Sequence, residues 1–301
     1  MTQAERQLTP VQKWILAARP KTLPAAAAPV VVGSAAAFHD GAFDLLPALA
    51  ALIGALLLQI GANIANDYFD FFKGADTSQR LGPLRVTQAG LLKPPQVWTG
   101  MWVVFGTAAL LGIYLTYEAG WPVVVIGLAS IAAAILYTGG PFPIGYNGLG
   151  EVFVFIFFGL AATVGTYFVQ AKTVTALAWW TALPPGFLIV AILIVNNLRD
   201  IRTDTVAGKR TMATRLGETG TKIEFFTSVV LAYLVPPLMI LLDLASPWVM
   251  LSWLSLVLLP GLGRRVLTVK GKPLNQALAE TGRLALVFGV LFGLGLVLGN
   301  F

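Results

Sequence analysis

Two amides and three carboxylates stand close together in one stretch of this chain: Asn63, Asn66, Asp67, Asp70 and Asp76. A second group follows far downstream, Asn196, Asn197, Asp200 and Asp204. Side chains three or four residues apart share one face of a helix. Asn63, Asn66, Asp67 and Asp70 therefore form one stripe, and Asn196, Asp200 and Asp204 another. Oxygen donors in this arrangement suit a hard cation such as Mg²⁺ or Ca²⁺. There is no cysteine and His39 is the single histidine, so thiolate and multi-histidine metal sites are excluded. Each group closes an apolar run, where the helix macrodipole is already negative. Carboxylates there need a compensating cation, which nearby arginines or a bound metal would supply. Asp76 lies off the helical stripe, and a helix ending at Gly74 would turn the chain and bring it back. The plainer alternative is a set of solvated loop charges.

Basic residues accompany the acids. Lys209 and Arg210 follow Asp204; Lys73, Arg80 and Arg85 follow Asp70. Acids and bases at one membrane face suit a Mg²⁺–diphosphate complex, in which carboxylates hold metal and Lys or Arg neutralise the remaining phosphate charge. Any one of these bases is equally an anchor at the membrane surface. A third polar island, Tyr137 to Glu151, is rich in Gly and Pro and predicts a tight turn. Its Tyr137 and Tyr146 could shield a developing carbocation by cation–π attraction, or simply sit at the interface.

The elements that must position these groups are membrane helices. The 301 residues are 57% hydrophobic and only 11% charged, where a soluble domain carries about 25%. The fold class is an all-α integral membrane protein, one domain over 1–301. Apolar runs long enough to span a bilayer predict nine helices at about 22–38, 45–66, 97–116, 121–138, 151–170, 178–198, 225–243, 246–262 and 283–299. Pro184-Pro185 predicts a kink or a late start in the sixth. With the N-terminus inside, the alternation puts every lysine and arginine but Lys172 on the inner side, out of 20. This supports a cytoplasmic N-terminus and an outer C-terminus. It also explains the +6 charge without nucleic acid. Two inner loops, about 67–96 and 199–224, are long and carry both acidic groups, so function is placed at the cytoplasmic face. Met1 to Thr9 lacks the apolar core of a signal peptide, so the first membrane helix is expected to direct insertion.

Asn66-Asp67-Tyr68-Phe69-Asp70 and Asp200-Ile201-Arg202-Thr203-Asp204 together resemble the two acidic motifs of the UbiA-type family of membrane prenyltransferases. The likeness runs from about Arg19 to Leu216. One departure is Gly74, which stands where many members carry the last acid of the first motif; here that acid is displaced to Asp76. Ala18 to Pro24, Asn66 to Asp76, Arg80 to Arg85, and Tyr137 to Glu151 running on to Gly165-Thr166-Tyr167 look most like the branch that prenylates 1,4-dihydroxy-2-naphthoate in quinone biosynthesis. The resemblance implies Mg²⁺ held by Asn66, Asp70, Asp200 and Asp204 with help from Asp67 and Asp76. It implies a prenyl diphosphate and an aromatic acceptor as substrates, with Asp70, Asp200 and Lys209 carrying the chemistry. Lys73, Arg80, Arg85, Tyr137, Tyr146, Arg210, Arg19 and Lys21 are the candidates for contacting them. It also implies a bacterial cell membrane or a thylakoid-type membrane. The same metal site would serve hydroxybenzoate or homogentisate as acceptor. A cation-coupled transporter would place its acids near the bilayer midplane. A lipid-headgroup phosphotransferase would pack them into one motif.

Overall fold

The computed structural model describes residues 8–74 and 80–300, all helix and connecting turns without a strand among them. A short helix α1 (Pro10–Ala18) opens the chain. Thr9 caps it by accepting from the Gln12 amide, and the Gln12 side chain reaches back to the Thr9 amide, the reciprocal arrangement that satisfies two helix-end donors. The sequence reading began its first helix at 22 and did not include α1. Arg19, in left-handed conformation before Pro20, ends it. After one turn of 3₁₀ helix the chain enters α2 (Pro24–His39), bent 54° from the first segment. Then come α3 (Leu45–Phe72), α4 (Pro94–Ala119), α5 (Pro122–Leu136), α6 (Gly150–Ala171), α7 (Ala176–Val206), α8 (Met212–Leu241), α9 (Pro247–Thr268) and α10 (Leu274–Leu298).

Seven of these, α3, α4 and α6 to α10, are long and apolar enough to cross a membrane, and the bent α1–α2 pair would be an eighth. The 15-residue α5 falls short of that length, since about 17 residues are needed to span the hydrocarbon.

Several helices overrun the apolar limits that predicted them. α3 continues to Phe72, so Asp67 and Asp70 lie inside it rather than beyond it. Lys73 caps it, and Gly74 at φ 65° turns the chain away, the helix end expected there. The long inner loop expected at 199–224 shrinks to the linker 207–211, because α7 runs to Val206 and α8 starts at Met212 under a Thr211 cap. Polar residues at a helix end extend beyond the apolar segment without breaking the backbone ladder. Gly217 alone, at φ 68°, interrupts α8. Pro184 and Pro185 neither delay nor break α7. They sit buried beside Gly186, where α7 passes so close to Gly159 of α6 that a side-chain carbon there would lie 2.7 Å from the Gly186 Cα. Residues 155–161 of α6 wind as π helix at this crossing, a distortion often found at functional sites.

The most buried span is α7. Around it α2, α8 and α10 form the main apolar core, with Leu188, Ile194, Phe225 and Phe288 at its centre. Small residues let α2 and α10 approach closely, Gly289 against Ala28 and Gly293 against Ala35, the usual device where lipid offers no competing hydrophobic drive. A second core joins α1, α3 and α4 through Ala17, Ile64, Met101 and Phe105. Between these halves, one cavity of about 660 Å³ opens.

Candidate functional site

The C-terminal ends of α3 and α7 meet at one mouth of this cavity. Asn66 and Asp70 line it from α3; Asn196, Asn197, Asp200 and Asp204 line it from α7. So do Arg19, Lys21, Arg80, Arg85, Tyr137, Tyr146 and Lys209. The two acidic groups are thus brought together with most of the basic and tyrosyl candidates.

Asp70 is buried. It accepts from Arg85 at 2.8 Å and from the Tyr146 hydroxyl. The Tyr146 ring lies 4.4 Å under the ammonium of Lys209, and that ammonium stands 3.5 Å from Asp204. Lys73 approaches the same ring at 5.3 Å and donates to the Gly140 carbonyl. Burial, reinforced by the nearby Lys209 charge, lowers the Lys73 pKa against the opposing pull of Asp70. Tyr146 therefore joins the two acidic groups physically, Asp70 through its hydroxyl and Asp204 through Lys209. The Tyr146 carbonyl also accepts from the Arg210 amide at 2.8 Å. That contact is backbone only: the Arg210 side chain is exposed and lies off the cavity wall.

Asp200 is held by its own neighbour. Arg199, 3% exposed, donates to it through Nε at 2.8 Å and through Nη2. The same guanidinium reaches Asn196 at 2.8 Å and Asn275 of α10 at 2.7 Å. Asn275 in turn donates to the Leu81 carbonyl, and a side-chain carbon on Gly82 would come within 2.9 Å of Arg199. The loop that follows α3 is thus pressed onto the second acidic group. Sequence reasoning counted Arg199 only as a surface charge and missed Asn275. The signal available was Arg199 standing directly before Asp200, where a fork of donors can hold a carboxylate two-handed.

Asp67, expected among the metal ligands, is directed elsewhere. It is fully buried and does not line the cavity. Its two oxygens accept the backbone amides of Val86 and Thr87 at 2.9 and 3.0 Å, so it fastens the loop to α3. Three residues before Asp70 on the same helix, it is buried off the cavity wall, whereas Asp70 lines the cavity. Asp76 lies outside the described residues. Asn66 reaches the cavity with its amide oxygen accepting from Thr138 at 2.9 Å. Asn63, also on the cavity wall, donates to the Ala18 carbonyl and to Thr22, tying α3 to the bend after α1.

Away from the acids the same cavity becomes apolar, lined by Ala51, Ala55, Leu58, Leu115, Val123 and Ile126 among others. Tyr137 stands between the two regions, its ring against Gly145 and its hydroxyl beside Gly150.

Among the described residues, no three acidic or imidazole side chains converge closely enough to cage a metal ion. Mg²⁺ does not require such a cage, since it is usually held by one or two carboxylates together with substrate phosphates. Asp70, Asp200 and Asp204, with amide oxygens beside them on one wall, offer the all-oxygen donor set that this ion takes. The donors present fit Mg²⁺.

Residues 26–286 match the UbiA prenyltransferase family. A 1,4-dihydroxy-2-naphthoate octaprenyltransferase of Escherichia coli (strain K12) is 37% identical, over 98% of this chain and 98% of that one. The enzyme of the same name from Mycobacterium tuberculosis is 38% identical, over 96% and 98%. The fold is similar to that of a UbiA homolog from Archaeoglobus fulgidus bound to DMAPP and Mg²⁺ (TM-score 0.65, 13% identity, 95% of this chain and 99% of that one). It is also similar to a UbiA homolog from Aeropyrum pernix K1 (TM-score 0.68, 13% identity, 91% and 97%).

Proposed function

The chain belongs to the UbiA prenyltransferase family, and from that premise we propose that it transfers a polyprenyl group from its diphosphate to 1,4-dihydroxy-2-naphthoate, with loss of the carboxylate as CO₂. The observation that carries this reading is one cavity with two chemically distinct ends: acids from α3 and α7 with bases from the connecting segments at one mouth, an apolar chamber at the other. A diphosphate head fits the first and a hydrocarbon tail the second. The acceptor follows from the relatives that bear that name at 37% and 38% identity over nearly the whole chain.

Asp70, Asp200 and Asp204, with Asn66, would hold Mg²⁺, which when bound supplies Lewis-acid charge to the phosphate oxygens. The chain's own residues do the rest. Lys209, already held against Asp204 and the Tyr146 ring, and Arg80 and Arg85 on the wall of the cavity, stabilise the departing diphosphate. Such stabilisation counts most where water is excluded. The apolar walls keep water from the allylic cation left when the C–O bond breaks. Tyr137 and Tyr146, both on the cavity wall, are the aromatic rings near enough to shield its positive charge. The bias of lysine and arginine toward the segments around this mouth supports a cytoplasmic position for it.

The test is reconstitution in lipid with Mg²⁺, a series of prenyl diphosphates and a panel of aromatic acids, with products identified by mass. Prenylated, decarboxylated naphthoquinol is the expected product. Product from hydroxybenzoate or homogentisate and none from dihydroxynaphthoate would reject the acceptor while keeping the family chemistry. Mg²⁺-dependent flux across the liposome wall without any prenylated product would favour a transporter.

A further inference from the structure

Glu151 stands in the first turn of α6 and Asn197 one residue before the Leu198-Arg199-Asp200 run on α7. The Asn197 side-chain nitrogen donates to Glu151 Oε1 at 3.0 Å. Asn197 is 8% exposed and lines the cavity together with Tyr137, whereas Glu151 does not reach it. The second oxygen of Glu151 is buried and accepts no hydrogen bond. The Glu151 oxygen that faces Asn197 is an acceptor, taking the proton of the amide nitrogen. The pair therefore fixes which way the carboxamide faces. Turned over, it would set its oxygen against the carboxylate oxygen. Held as it is, its nitrogen arm is taken by Glu151 and its oxygen is the arm left for the cavity.

We propose that Glu151 is a positioning residue that holds Asn197 so that the cavity offers a hydrogen-bonding oxygen to a ring hydroxyl, selecting the dihydroxylated aromatic substrate over its quinone. A ring hydroxyl donates to such an oxygen; a quinone carbonyl can only face it as a second lone pair. Tyr137 lies beside the pair, since a side-chain carbon on Gly150 would come 3.0 Å from the Tyr137 hydroxyl, and provides an aromatic wall for the ring. The proposal rests on the reading above that the second substrate is a hydroxylated ring.

The experiment uses the full chain in lipid, with 1,4-dihydroxy-2-naphthoate and a polyprenyl diphosphate as substrates and the corresponding quinone, 1,4-naphthoquinone-2-carboxylate, as competitive inhibitor. The chain has no thiol for the quinone to alkylate. Glu151→Gln is nearly isosteric, but its amide both donates and accepts, so Asn197 is free to turn. The KM for dihydroxynaphthoate is expected to rise roughly tenfold, as for one hydrogen bond. The KM for the prenyl diphosphate stays at the wild-type value, and the quinone inhibits more tightly. Asn197→Leu, which removes both arms, should raise the same KM without tightening the quinone. Unchanged constants for naphthoate and quinone in Glu151→Gln would overturn the proposal. So would an equal rise in both substrate KM values, which marks a merely structural role. Should Glu151→Gln not fold, an unchanged naphthoate KM in Asn197→Leu overturns it instead. If the wild-type protein prenylates a different hydroxylated ring, the acceptor reading fails, and the same constants measured with that ring and its quinone still decide the role of Glu151.

Discussion

The two acidic groups have like spacing in sequence and different support in space. On α3 the partners of Asp70 come from other segments, the countercharge from Arg85 in the following loop and a hydroxyl donor from Tyr146 in the turn before α6. On α7 the partner of Asp200 is the adjacent Arg199, and that of Asp204 is Lys209 just past the helix end. The first group is thus assembled by tertiary structure and the second largely by its own segment. Asp67 makes the contrast sharper. It occupies the middle of the first motif, yet both of its oxygens secure the loop that delivers Arg85. The first motif thus also fastens the distant loop it depends on, while the local partner in the second, Arg199, is braced by Asn275 on α10.

If the two groups are halves of one site despite this difference, removing either charge should be equally damaging. Asp70→Asn and Asp200→Asn are each expected to lower turnover on the order of a thousandfold, the loss typical of removing a principal electrostatic contact. The double variant should be scarcely worse than either single one, because residues acting as a unit are not additive. Product formation measured by mass decides it: wild-type rate in either single variant, or losses that multiply in the double, would separate the halves.

Stability should divide them next. Arg199 is a buried charge with three side-chain partners, and replacing it leaves Asp200 uncompensated. Arg199→Gln should destabilise the protein by about 3 kcal/mol, seen in thermal unfolding in detergent. Asp67→Asn keeps one amide acceptor and turns a donor toward the other, at a cost of about 1–3 kcal/mol. Its signature is a lowered melting temperature with an unchanged Mg²⁺ concentration for half-maximal rate. A shifted Mg²⁺ requirement at unchanged melting temperature would restore Asp67 as a ligand.

How much of this could be read from the sequence follows the same division. The apolar runs that became α3, α7 and α8 were visible because a bilayer demands about 20 apolar residues, and the acid stripes were visible because helical spacing is fixed. Their ends were not: α3 and α7 extend as helices into polar sequence, where composition says loop and the hydrogen-bond ladder simply continues. Spacing put Asp67 on the stripe with Asp70, yet three residues fall about 60° short of a full turn of helix, enough to turn it from cavity to loop. Arg199 was seen only as a charge because its partner Asn275 lies 76 residues away. Lys73 and Arg210 were placed near the site by proximity in sequence, but Lys73 stands at its rim and Arg210 contributes a backbone amide.

Tyr146 offers the finest test, because it is the side chain that touches both halves. Its hydroxyl serves Asp70 and its ring carries Lys209. Tyr146→Phe removes the first contact and keeps the second, so kcat should fall only about tenfold, the worth of one charge-assisted hydrogen bond. Tyr146→Leu also removes the ring, releasing Lys209 from the position it holds between Asp204 and the aromatic face. A cation–π contact contributes about 0.5–2 kcal/mol, so a further loss of a few-fold is expected, with a raised KM for the prenyl diphosphate. If Tyr146→Leu matches Tyr146→Phe in both constants, the ring plays no part and the halves are joined only through their substrate.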